Sequence, residues 1–165
     1  MNLKTVYQND KYQVLEGSSN SIFLHQPNPK YATVIALHEG KIVFVKQYRE
    51  GIQAMSYELP GGGLEAGEDF ETAARRELWE ETGLKCGKMG ALGEIYNYAC
   101  MTNRVAQVYF TDDILAQEEQ NLDADESIEI LGYTPEEAFT RIADGRLKDP
   151  ETAHGLLLAR LKGLM

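Results

Sequence analysis

The sequence predicts a mixed αβ domain with much antiparallel strand pairing. Short apolar and β-branched runs separated by turn residues fill the first third of the chain. A helix-period segment then interrupts them, and after further strands two helical segments with start signals close the chain.

Taken in order, Tyr12–Leu15 and Ile22–Leu24 are short strands parted by Gly17-Ser18-Ser19-Asn20. Tyr31–Leu37 and Lys41–Tyr48 flank His38-Glu39-Gly40, the composition of a hairpin loop. Their runs Val34-Ile35-Ala36-Leu37 and Ile42-Val43-Phe44-Val45 lack polar alternation, so both strands are expected to be buried on two faces. Tyr57-Glu58-Leu59 is a short strand running into Pro60 and three glycines, read as a tight turn. A helix over Asp69–Thr82 stops at Gly83. Leu92–Ala99, Val105–Phe110 and Ile128–Tyr133 follow as strands, then helices over Pro135–Ala143 and from Asp149, an N-cap followed by Pro150 at the first helical position.

The chain has 165 residues and suits one globular domain over 1–165, with no repeat and no linker-like tract. Sixteen Lys and Arg face 26 Asp and Glu, for a formal charge of −10. That balance disfavours a protein gripping nucleic acid through a basic surface. No apolar run reaches the ~18 residues of a membrane span, and residues Met1–Asn9 are too polar for a signal peptide. Cys86 and Cys100 have no framework spacing and fit a reducing cytoplasm. Between Val105 and Thr140 there is no Lys or Arg but ten acids: Asp112, Asp113, Glu118, Glu119, Asp123, Asp125, Glu126, Glu129, Glu136 and Glu137. The expectation is a solvated acidic loop, with one member available for catalysis.

The chemistry is concentrated in Gly61-Gly62-Gly63 and the helix after it. At about 100° per residue, Glu77 and Glu81 fall within about 20° of Phe70, inside the stripe made by Phe70, Ala73 and Ala74. Glu80 lies on the edge of that stripe and Arg76 one turn earlier; Trp79 lies opposite and is read as packing. Solvent-seeking carboxylates should oppose an apolar stripe, not extend it. At an effective dielectric near 20, like charges ~5–6 Å apart repel by roughly 3 kcal/mol per pair, which one arginine cannot offset for three glutamates. A bound cation can. The donors are oxygens, while His25, His38 and His154 are scattered, so Mg²⁺ is favoured, with Mn²⁺ as the variant, over Zn²⁺. Magnesium held by few carboxylates completes its shell with water and phosphate oxygens, which points to a phosphate-bearing substrate.

Gly62, Glu68 and then Arg76-Glu77-Leu78-x-Glu80-Glu81-x-Gly83-Leu84 form a pattern that resembles, without departure, the full signature of the Nudix hydrolases. The resemblance implies an αβα sandwich and hydrolysis of a nucleoside diphosphate linked to another moiety. It further implies that Glu77, Glu80 and Glu81, with the Gly61 carbonyl, ligate metal. Arg76 would hold a glutamate of the signature by an ion pair, and Glu68 would support the loop or an outer metal. Gln47-Tyr48-Arg49 before Tyr57-Glu58-Leu59-Pro60-Gly61-Gly62 looks like the branch acting on ADP-ribose and nucleotide sugars. This similarity implies an arginine contact to the diphosphate from Arg49, and substrate contacts from Glu58, Gly61 and Gly62. Residues 1–30 would form a small extra sheet for a homodimer and substrate pocket, beside a core over 31–165. The loop Tyr98–Arg104 lacks the proline common in ADP-ribose enzymes, which widens the expectation to nucleoside diphosphate sugars in general. A general-base glutamate on a late loop would be Glu126, with Glu129 second. Alternatives are a pyrophosphohydrolase of nucleoside triphosphates, oxidised ones included, and a nucleotide-binding sensor without catalysis.

Overall fold

The computed structural model describes residues 3–124 and 126–165, so Asp125 of the acidic run lies outside the described residues. Its strands are β1 (Lys4–Gln8), β2 (Gln13–Glu16), β3 (Ile22–His25), β4 (Lys30–His38), β5 (Lys41–Arg49), β6 (Ala54–Glu58), β7 (Gly61–Gly63), β8 (Leu84–Cys86), β9 (Gly90–Tyr96), β10 (Val105–Thr111), β11 (Ile114–Gln117) and β12 (Glu129–Tyr133). The helices are α1 (Phe70–Thr82), α2 (Pro135–Ala143) and α3 (Pro150–Leu161).

The central sheet runs β12-β5-β4-β10-β9, with β6 added on β5 and β7 on β4. It is mixed, because β10 runs parallel to β4 while the other pairings are antiparallel. The hairpin joining β4 and β5 turns at Glu39 and Gly40, both at positive φ (51° and 75°), as a twist-matched two-residue turn requires.

Alternate residues of β4 and β5 feed two cores. Ile35, Ile42 and Phe44 pack with Ala138 of α2 and Leu156 and Ala159 of α3. Val34, Ala36 and Val43 pack with Ala73, Ala74 and Leu78 of α1. Helices therefore cover both faces, which is why these strands carry unbroken apolar runs. A separate antiparallel sheet, β1-β2-β3, precedes the central one.

One strand goes unread and three expectations are corrected. Strand β1 goes unread in the sequence because every residue in it is exposed, leaving no apolar alternation to detect. The three glycines form a strand rather than a free turn: Gly61 pairs with Thr33, and a Cβ there would lie 2.8 Å from the Thr33 Cα. The acidic run is not wholly a solvated loop, since β10 is core and β11 pairs with β8. The strand expected to start at Tyr57 begins at Ala54, opposite Arg49 of β5.

Candidate active site

The position of α1 is fixed at both ends. Asp69 caps its N-terminus by accepting from the Thr72 N–H at 2.8 Å. Gly83 ends it at φ 72°, donating to the Trp79 carbonyl. The apolar stripe seats on β4 and carries Glu77 and Glu81 down with it. Glu81 is only 3 % exposed, and one carboxylate oxygen accepts the Gly61 N–H at 2.8 Å. Gly62 leaves the space that the Glu77 carboxyl fills; a Cβ there would come 2.5 Å from its Cδ.

Arg76 is the hub of the charges. It donates to both oxygens of Glu68 (2.9 and 3.0 Å), to Glu77 (2.8 Å), to Glu80 (2.9 Å) and to the Gly63 carbonyl (2.9 Å). Those bonds hold the Glu68 carboxyl below its ordinary range. Glu68 also accepts from the Glu65 N–H at 2.8 Å, tying the loop to the helix. Glu81 receives no such cation. Burial pushes its carboxyl up to about 8, the repulsion of Glu77 and Glu126 adds to this, and the Gly61 N–H and Arg49 oppose it. Burial likewise raises Glu77, against the pull of Arg76.

These groups face a cleft of about 840 Å³ lined by Glu77, Glu81, Glu126, Arg49, Glu58 and Gly61–Gly63. Glu126 and Glu129 are separated by the fold. Glu126 lies in the cleft with Asp123, whereas Glu129 pairs with Lys46 at 2.6 Å outside it. Glu80 is turned to Arg76 and does not line the cleft. Arg49 does line it, but its guanidinium is bound bidentately to Glu58 at 2.9 and 2.5 Å. Burial pushes the Glu58 carboxyl up, yet the arginine wins and holds it below the ordinary value. Trp79, read as packing, lies under Lys85 and donates its indole N–H to Glu118 at 3.1 Å.

The sequence reading missed several residues of the cleft lining. Asp149 and Glu151 at the start of α3, Asn97 and Arg104 around the loop after β9, and Tyr31 of β4 all line the same cleft. Burial raises the carboxyls of both Asp149 and Glu151. Asp149 was legible only as a helix cap, a role it fills by accepting from the Thr152 N–H at 2.7 Å. Nothing in the sequence brings Asn97 and Glu151, 54 positions apart, into the hydrogen bond they form.

A NUDIX domain profile matches residues 27–156, and the chain belongs to the Nudix family of hydrolases. The chain is 32% identical to an ADP-ribose pyrophosphatase of Bacillus subtilis (strain 168) over 137 residues, covering 82% of this chain and 74% of the relative. It is 35% identical to a methanol dehydrogenase activator of Bacillus methanolicus over 127 residues, covering 76% and 69%. A crystal structure of an ADP compounds hydrolase superposes with a TM-score of 0.82 at 18% identity, covering 99% of this chain and 94% of that one, which establishes the shared fold.

Nudix hydrolases generally use a divalent metal. The donors here are oxygens only, and the buried Glu81 is short of positive charge, which suits a hard cation. Among the described residues no three His, Cys, Asp or Glu side chains converge into a cage. Two carboxylates beside an open cleft suit a hard divalent cation that keeps several waters and takes phosphate oxygens. No helix of the described residues is long and apolar enough to cross a membrane.

Proposed function

We propose that this Nudix hydrolase cleaves the pyrophosphate bond of nucleoside diphosphate sugars, ADP-ribose among them, with Mg²⁺. Water adds to one phosphorus, the bridging P–O bond breaks, and a nucleoside monophosphate and a sugar phosphate leave. The reading is carried by one observation: the buried Glu81 and the half-buried Glu77, both on the core side of α1, open into a cleft large enough for such a substrate. The pyrophosphatase named among the relatives, similar along most of this chain, supports the substrate class.

In this reading Glu77 and Glu81, with the Gly61 carbonyl and with Glu80 released from Arg76, hold the metal. When bound, the ion neutralises phosphate charge and makes a coordinated water acidic. Arg76 fixes Glu77 and ties the helix to Glu68, so the carboxylates meet the substrate pre-positioned. The backbone of Gly61 and Gly62 lets phosphate approach closely. Glu126 accepts the proton of the attacking water from across the cleft. The protein acts in the cytoplasm as a homodimer formed through the β1-β2-β3 sheet, with residues 31–165 as the catalytic part of a single domain.

A panel of nucleoside diphosphate sugars and nucleoside triphosphates, incubated with Mg²⁺ and resolved by product, tests this. AMP and ribose 5-phosphate from ADP-ribose are expected. Pyrophosphate from triphosphates, with the sugars intact, would replace the reading with a triphosphate pyrophosphohydrolase.

A further inference from the structure

The loop after β9 lacks a proline, yet it is firmly held. Asn103 donates to the Gln26 carbonyl at 3.0 Å and accepts the Gln26 N–H at 3.0 Å. The Leu24 N–H donates to the Met101 carbonyl at 2.7 Å, and Thr102 donates to the Asn97 carbonyl. This bracing delivers Arg104 to the cleft wall, where its guanidinium stacks 3.7 Å from the centre of the Tyr31 ring. Tyr31 is itself fixed by accepting from Gln26 at 2.7 Å.

The two arginines of the cleft differ in one respect. Arg49 is committed to Glu58 through two bonds. Arg104 makes no ion pair among the described residues, and its buried Nε–H has no partner. A planar guanidinium held flat by an aromatic ring, with its donors uncommitted, is built to take a phosphate oxygen.

We infer that Arg104, rather than Arg49, is the residue that receives an anionic phosphate oxygen of the substrate, from the part of the cleft lined by Tyr31. Arg49 then serves to order Glu58 and β6. The assignment rests on the proposed reading of the cleft as a nucleoside diphosphate sugar site.

Calorimetric titration of the full chain with ADP and with adenosine, in Mg²⁺, tests it beside ADP-ribose kinetics. R104M is expected to weaken ADP at least about tenfold while leaving adenosine affinity and Tm unchanged. In kinetics KM rises and kcat holds within about twofold. R104K regains part of the loss, because a point charge remains without the fork. R49M shifts Tm more and ADP affinity less. Unchanged ADP affinity in R104M overturns the assignment, as does equal loss of ADP and adenosine, which would make Arg104 structural. Failure of the parent to bind ADP overturns it as well. ADP binding by the parent without cleavage of any diphosphate sugar overturns the reading of the reaction and leaves Arg104 assigned.

Discussion

Glu81 concentrates the chemistry in a single carboxyl. Its ordinary value is 4.5, and burial in the metal-free fold raises it to about 8. Between those values the folded chain holds a proton that the unfolded chain has lost. Stability therefore falls as pH rises through that window and levels off above it. E81Q has no proton to lose there, so the metal-free protein with this change should show a flatter Tm against pH, and at pH 8 a higher Tm than the parent. The same change should cut Mg²⁺-dependent turnover at least about a hundredfold. Tm scans in chelator and steady-state rates check both, and a parent-like slope would mean that Glu81 is ionised throughout. Gly62 is the second residue-scale case. Its missing Cβ is the room occupied by Glu77, so G62A should displace that carboxylate and lower activity by about tenfold or more with an intact fold by circular dichroism. Much of this was legible in the sequence: two acids inside an apolar stripe, next to glycines, point to a site. The distribution of Arg76 over three carboxylates was not, because only the backbone of the 61–68 segment brings Glu68 within reach.

At the scale of elements, α1 is placed by its ends. Gly83 sits at φ 72°, and a Cβ there would lie 2.9 Å from the Glu118 carbonyl carbon and closer still to its oxygen. G83A should therefore cost more than the ~1 kcal/mol of an ordinary C-terminal glycine, read as a lower urea midpoint with an unchanged m-value. Loss of the Asp69 cap should cost about 1 kcal/mol. The helices were readable from their caps and stops. Strands β4 and β5 were readable because burial on both faces leaves long apolar runs. Strands β1, β8 and β11 escaped because β8 has only three residues and β1 and β11 are mostly exposed, so pairing rather than composition makes them strands. Similarly, Asp149 looked like a cap and nothing more, since only the docking of α3 turns its carboxyl to the cleft.

For the whole molecule, the proposed homodimer uses the β1-β2-β3 sheet, which exposes Val6 (48 %), Tyr7 (58 %) and Ile22 (46 %). A dimer covering these residues should sediment as such, and V6E/Y7E should shift it to monomer; a parent that sediments as a monomer would remove the dimer from the proposal. The cleft sits where the parts meet: α1 and β7 supply the glutamates and glycines, β5 and β6 the Arg49–Glu58 pair, and α3 and the loop after β9 Asp149, Glu151 and Arg104. Family and fold were legible because one contiguous signature carries them; the residues that α3 and the loop after β9 add to the cleft were not, because they converge only in the folded chain.

The central claim is that Glu77 and Glu81 together bind the divalent ion. Titration of Mn²⁺ into the parent, E77Q and E81Q, followed by electron paramagnetic resonance of the free ion, measures this without any substrate. Each substitution is predicted to weaken Mn²⁺ by about tenfold or more, and parent-like affinity in both variants would contradict it.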